Sequence, residues 1–169
     1  MDLRAHIAIV VLASGACIAP AGAITTNDFV FTPAAQACQL SLPTIDTKVS
    51  PRATGFRNDG TATTWVICGL WKPVAENYLF ATIYLRNEGG AELSVSCTGV
   101  NGDGSGTQQY ASKTAAMHAG EAGSLDFQPE DFGGSTSIPK GYNFSVTCAL
   151  PPHASIERVR SLFPRDIGA

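Results

Sequence analysis

The side chains with the reach for chemistry are few and scattered. Beyond residue 23, histidine occurs only as His118 and His153. A nucleophilic hydrolase needs a serine, a histidine base and a carboxylate that orients the base, and no Gly-x-Ser-x-Gly elbow is present. A secreted hydrolase would therefore have to assemble its site from one of these histidines and distant Ser and Asp residues. Ser105 stands among glycines in Gly102-Asp-Gly-Ser-Gly106, but the spacing matches no protease loop, and the stretch reads as a glycine-rich turn. Its glycines lead into no helix and so make no phosphate cradle. Asp126, Glu130 and Asp131 cluster in Leu125-Asp-Phe-Gln-Pro-Glu-Asp-Phe-Gly133. Two carboxylates at the right separation run glycoside hydrolysis, and several hold calcium. Pro129 and Gly133-Gly134 make this a loop, however, where acids ordinarily meet water. The residues thus assign no catalytic group, metal site or cofactor.

Aromatic side chains give a sharper hypothesis. In Thr63-Thr-Trp-Val-Ile-Cys-Gly-Leu-Trp71, a period of two sets Val66, Cys68 and Leu70 on one face and Trp65, Ile67 and Trp71 on the other. In Tyr78-Leu-Phe-Ala-Thr-Ile-Tyr-Leu85, Tyr78, Phe80 and Tyr84 share a face. Strands apolar on both sides are either covered on the second face or open there. An open row of rings stacks on pyranose C–H faces, so Trp65, Trp71, Tyr78, Phe80 and Tyr84 are the candidate ligand-binding residues, with a polysaccharide as the ligand to test. Large exposed apolar patches are uncommon without such a purpose, although packing is the usual fate of an aromatic.

The elements that position these groups read as strands. Glu92–Val100 alternates Leu93, Val95 and Cys97 against Ser94, Ser96 and Thr98. Tyr142–Leu150 turns Tyr142, Phe144, Val146 and Cys148 inward. Turn signals at Asn58-Asp-Gly-Thr61 and Asn87-Glu-Gly-Gly90 punctuate the series. Shorter strands are expected at Ala37–Leu42, Gln108–Lys113, Ser124–Phe127 and Ser155–Leu162, the last with a short helix as the alternative. Seven or eight such strands predict an all-β, two-sheet antiparallel sandwich with Greek-key or jelly-roll-like topology, its strand order left open. Ser94-Val-Ser-Cys97, Ser145-Val-Thr-Cys148 and Val66-Ile-Cys68 echo one another. Their separations of 51 and 29 residues share no period, and the echo reads as convergence of buried strands.

Cysteine usage and the N-terminus place the chain outside the reducing cytosol. Arg4, the apolar run Ile7–Leu12 and Ala21-Gly-Ala23 form a signal peptide over residues 1–23, cleaved near Ala23. The apolar run is far shorter than the ~20 residues of a spanning helix. Secretion or a periplasmic location follows. Ser14-Gly-Ala-Cys17 resembles a lipoprotein box and makes an outer-membrane lipoprotein through Cys17 the alternative, although a serine stands where that pattern wants an aliphatic residue. Cys38, Cys68, Cys97 and Cys148 remain, with no C-x-x-C, and read as two disulfides with three possible connectivities. The favoured pairing is Cys38–Cys68 with Cys97–Cys148. Residues 24–36 form an N-terminal segment, flexible by expectation, followed by a single domain over 37–163 and a tail over 164–169.

Of 169 residues, 15% are charged and the net charge is −3. That balance offers no footprint for nucleic acid. Gly 17 and Pro 10 suit a loop-rich β protein rather than a helix bundle.

The segments Ala53-Thr-Gly-Phe-Arg-Asn58, Trp65-Val-Ile-Cys-Gly69, Val95-Ser-Cys-Thr-Gly-Val-Asn101 and Phe144-Ser-Val-Thr-Cys-Ala-Leu-Pro-Pro152 resemble those of small exported, cysteine-containing proteins of Gram-negative bacteria. The resemblance spans most of the chain beyond residue 23 and implies an exported β domain. That group has no assigned activity, so it carries over no functional residue. The sequence thus points to an exported non-enzymatic binding or structural module whose partner is a polysaccharide or another exported protein. A secreted hydrolase, or an inhibitor or assembly partner of another exported protein, stands as the alternative. An inhibitor needs a rigid exposed loop, which the glycine-rich stretch at 102–106 does not supply.

Overall fold

The computed structural model describes residues 24–42, 48–73, 77–102, 108–139 and 143–167. The expected signal peptide, Cys17, residues 103–106 of the glycine-rich turn and Tyr142 lie outside the described residues. Two antiparallel sheets face each other. Sheet A runs β3 (Val49–Arg52), β4 (Gly55–Asn58), β11 (Ala154–Asp166), β6 (Phe80–Asn87) and β9 (Ala122–Phe127), with β1 (Thr25–Pro33) also paired to β11. Sheet B runs β2 (Cys38–Leu40), β5 (Thr64–Gly69), β10 (Asn143–Leu150), β7 (Leu93–Gly102) and β8 (Gln108–Met117). One turn of helix, α1 (Ala34–Ala37), joins β1 to β2, and a 3-10 turn spans Pro129–Phe132. No helix among the described residues is long and apolar enough to cross a membrane.

The sandwich arrangement follows from the alternation along the strands. Val66, Cys68, Val95, Cys97, Val146 and Cys148 of sheet B meet Ile83, Leu85, Leu125, Phe127, Ile156 and Val159 of sheet A, all buried. Phe127, Phe132 and Phe144 close one part of this core with ring centroids 5.4–6.4 Å apart. At Gly99 the inward position of β7 holds no side chain: a Cβ there would lie 2.8 Å from the Phe127 ring. The missing methyl is what lets that ring into the core. Both disulfides have the expected pairing, Cys38–Cys68 and Cys97–Cys148. Each joins directly opposed residues of neighbouring strands in sheet B, β2 to β5 and β7 to β10. They therefore hold the order of one sheet rather than linking the two.

Three features differ from the sequence reading. Residues 25–33, expected as a flexible lead-in, form β1 along the lower half of β11, from Thr25↔Asp166 to Pro33↔Arg158. The segment 155–162 is the expected strand rather than its helical alternative, but β11 runs on to Asp166 through much of the expected tail. Its three- and four-residue apolar spacing arises from a bulge between Ile156 and Arg158, which keeps Ile156, Val159, Ser161 and Phe163 facing inward. Third, the echo at 29 residues is a structural repeat. Arg57-Asn-Asp-Gly-Thr-Ala62 with Val66 and Cys68 aligns with Arg86-Asn-Glu-Gly-Gly-Ala91 with Val95 and Cys97. Both segments are arches that leave sheet A (β4, β6) and enter sheet B (β5, β7). The run ending at Cys148 takes no part, because β10 is entered from the opposite end of the sandwich.

Candidate functional site

The two outer faces of the sandwich are chemically opposite. On sheet A the outward register rows are Phe31–Arg160–Thr82–Asp126 and Arg158–Tyr84–Ser124, with Leu162–Phe80 beside them. Guanidinium groups lie on the rings: Arg158 over Tyr84 at 4.6 Å and Phe31 at 5.0 Å, Arg160 over Phe80 at 4.6 Å. Such contacts are worth about 0.5–2 kcal/mol each and cover the ring faces.

On sheet B the outward rows read Trp65–Ala149–Ser96–Thr114, Ile67–Thr147–Thr98–Ser112 and Gly69–Ser145–Val100–Tyr110. No outward residue of this face among the described strands is an aspartate, glutamate, lysine, arginine or histidine. Its hydroxyls pair across strands, Ser96 with Thr114 at 2.7 Å and Thr98 with Ser112 at 2.8 Å. They recur about every 6.7 Å along a strand and about 4.8 Å across strands. Trp65 and Tyr110 stand at its two margins, 54% and 61% exposed. Tyr110 is held by a hydrogen bond from its hydroxyl to Gln108.

The aromatic residues singled out from sequence do not form one row. Trp65 occupies the outer face of sheet B, as its parity with inward Val66 and Cys68 requires. Trp71 is exposed as well, but β5 ends at Gly69, so strand parity no longer governs it. Its ring packs edge-on against Phe163 at 6.1 Å, and its carbonyl accepts from the Ser161 hydroxyl at 2.6 Å. Tyr78 lies inside, because β6 starts only at Phe80 and the preceding turn takes it off the pleat. Its hydroxyl donates to the Leu70 carbonyl at 2.8 Å, its ring meets Phe144 at 5.2 Å, and burial pushes its pKa up. Phe80 and Tyr84 do share a face, that of sheet A, where arginines cover them.

The polar candidates are also dispersed. His118 follows β8 and sits 3.3 Å from Glu92 through Nδ1. His153 occupies the turn between β10 and β11 with φ 65°. No serine hydroxyl is hydrogen-bonded to either histidine among the described residues. Asp131 pairs with Lys113 at 2.7 Å and accepts the Gln128 N–H, while Asp126 accepts from the Thr82 hydroxyl at 2.6 Å. Asp126 and Asp131 therefore serve separate ends.

Sequence reading missed Tyr110, the hydroxyl rows, and Phe29 and Phe31 of β1. The Ser94-x-Ser96-x-Thr98 alternation was the available signal for the hydroxyl rows; only the register that sets them beside Ser112 and Thr114 turns them into a plane.

The chain has a disulfide-stapled antiparallel β-sandwich fold. No protein-family model and no curated protein matches it. A solved structure described as "Bacillus endospore appendages form a novel family of disulfide-linked pili" aligns with 90% of this chain and 97% of its own, at 12% identity and a TM-score of 0.38. A likeness that loose carries no inference for this chain.

Proposed function

We propose that the protein is an exported, non-enzymatic β-sandwich that binds a neutral polysaccharide surface through the outer face of sheet B. The observation that carries this reading is the absence of any charged side chain on that face among its described strands, against the arginine-rich face of sheet A. A charge-free plane of paired hydroxyls meets sugar hydroxyls without desolvating a charge, which would be costly. Trp65 and Tyr110 add ring faces for pyranose C–H groups. The signal peptide expected from the sequence and the resemblance to exported proteins support an extracytoplasmic location, where such polymers occur and disulfides persist.

The test is co-sedimentation of the oxidised protein with insoluble cellulose and chitin, followed by titration with soluble oligosaccharides read by tryptophan fluorescence. Saturable binding is expected, lost in Trp65→Ala and in Thr98→Lys, retained in Trp71→Ala, and little changed between low and high salt. Absence of binding to every neutral glycan, or binding that survives both Trp65→Ala and Thr98→Lys, would refute the reading. Concentration-dependent self-association abolished by Thr98→Lys would instead assign the face to a second copy of the chain.

A further inference from the structure

On the opposite face, a cavity of about 400 Å³ opens between the start of β6, the end of β9 and the 3-10 turn, lined among others by Phe80, Asp126, Pro129, Glu130 and Arg160. Its chemistry is two-signed. Arg160 brings the positive charge on the β11 side, and Asp126 and Glu130 bring negative charge on the β9 side. The two poles are joined through one buried hydroxyl: Arg160 Nη2 donates to Thr82 Oγ1 at 3.3 Å, and Thr82 Oγ1 donates to Asp126 Oδ1 at 2.6 Å. This relay lies along a single register row, Arg160↔Thr82↔Asp126, so the pleat itself holds the charges apart.

The cation is under-satisfied. Among the described residues Arg160 has no carboxylate within ion-pair reach, its one hydrogen bond goes to Thr82, and its Nε is enclosed without an acceptor. A guanidinium has five donors in a planar fork suited to a carboxylate. Stacking on Phe80 holds this fork in place. Glu130 is exposed and makes no ion pair among the described residues, whereas the neighbouring Asp131 is taken by Lys113.

We propose that this cavity is a second binding site, for a zwitterionic amino compound of one or two residues' size. The ligand carboxylate takes the free edge of Arg160, and the ligand ammonium sits between Asp126 and Glu130. Carbon between the two charges rests on Leu79 and Pro129. A simple anion would meet two carboxylates beside one arginine, and a simple cation would meet Arg160, so neither satisfies both poles. This site is independent of the sheet B face and does not depend on carbohydrate binding there.

The experiment is a two-dimensional amide NMR titration of the oxidised protein with L-alanyl-L-alanine. Its N-acetyl and C-terminal amide derivatives and inorganic phosphate serve as single-charge controls. The expected result is saturable shifts at the amides of Thr82, Asp126 and Glu130 with the dipeptide, and at least tenfold weaker binding for each blocked derivative and for phosphate. Arg160→Gln and Glu130→Gln should each weaken dipeptide binding at least tenfold. Glu130 is exposed in a surface turn, so its variant decides the matter if Arg160→Gln disturbs folding. No saturable shift with the dipeptide, equal binding of phosphate or the N-acetyl derivative, or an unchanged affinity in Glu130→Gln would each overturn the proposal.

Discussion

Asn58 and Asn87, 29 positions apart, share three hydrogen bonds at two equivalent corners of the sandwich, and Asn87 Nδ2 adds a fourth, to the His118 carbonyl at 2.9 Å. The Oδ1 of each accepts the N–H two residues on, from Gly60 and Gly89, at 2.8 Å in both cases. The Nδ2 of each donates to the carbonyl four residues on, Ala62 at 2.9 Å and Ala91 at 2.7 Å. Each Nδ2 also reaches the last carbonyl of a neighbouring sheet B strand, Leu150 at 2.8 Å and Met117 at 3.1 Å. Both residues are fully buried, so one amide satisfies an arch and ties it to the next strand.

Substituting either asparagine by alanine leaves buried carbonyls and an N–H without partners. Each of Asn58→Ala and Asn87→Ala should lower stability by about 2–3 kcal/mol, the usual cost of orphaning buried polar groups. The two side-chain amides have different partners, but His153 bridges the corners, its N–H donating to the Asn58 carbonyl and its carbonyl accepting from the Glu88 N–H, so the double variant should depart from the sum of the single losses. Urea unfolding followed by circular dichroism checks both statements.

Glycine positions that admit the Phe127 ring and the β4 turn should tolerate no side chain. In Gly99→Ala the added methyl meets the Phe127 ring at 2.8 Å, and a loss of about 1–3 kcal/mol is expected from overpacking. Gly55→Ala should lose more, because φ is +146° and the Cβ would lie 2.2 Å from the Ile156 carbonyl oxygen. An order reversed between the two in denaturant midpoints would contradict the packing described.

Disulfide removal separates the two staples. Cys38–Cys68 closes a separation of 30 residues and Cys97–Cys148 one of 51, for which the chain-entropy model gives about 3–4 kcal/mol each. Paired Cys→Ala substitution should lower the unfolding midpoint for either bridge. Loss of Cys97–Cys148 should loosen the centre of sheet B, and loss of Cys38–Cys68 only its β2 edge. Amide hydrogen exchange resolved by strand would show the difference.

Acid should weaken the β4 corner. The hydrogen bond from Arg52, helped by the charge of Arg57, holds the Asp59 carboxyl below its ordinary value of 3.8, although partial burial opposes this. Arg52 Nη2 lies 2.7 Å from Asp59 Oδ2 and Arg57 Nε 2.6 Å from Oδ1. A carboxylate with a lowered folded-state pKa contributes stability that is present above its unfolded value and lost as pH falls through the folded one. These pairs are surface-exposed, so the contribution is below about 1 kcal/mol. Stability measured from pH 5 down to pH 2 should fall less steeply in Arg52→Ala than in the parent.

The strands with one buried face were legible in the sequence because a period of two writes that burial directly. Val95, Cys97, Val146 and Cys148 faced inward as their alternation required, and the favoured disulfide pairing agreed with the strand partners. β1 was not legible. No residue from Thr25 to Pro33 is fully buried and the exposed positions include Phe29 and Phe31, so no apolar alternation marks the strand, and only β11 gives it a place. Tyr78 and Trp71 misled because strand parity was extended past strand ends that no residue marks.

By itself the sequence determined the class: low in charge, all-β, held by two disulfides. Those properties follow from composition and from local periodicity, each readable over a short window. Only tertiary structure decided which strands lie side by side. That choice aligned Ser96 and Thr98 with Thr114 and Ser112 into an uncharged plane. It also set Arg160 two strands from Asp126 across Thr82, and gave two arches the same buried asparagine. Register between strands tens of residues apart is set by the whole core at once, and a one-residue slip would reverse every face.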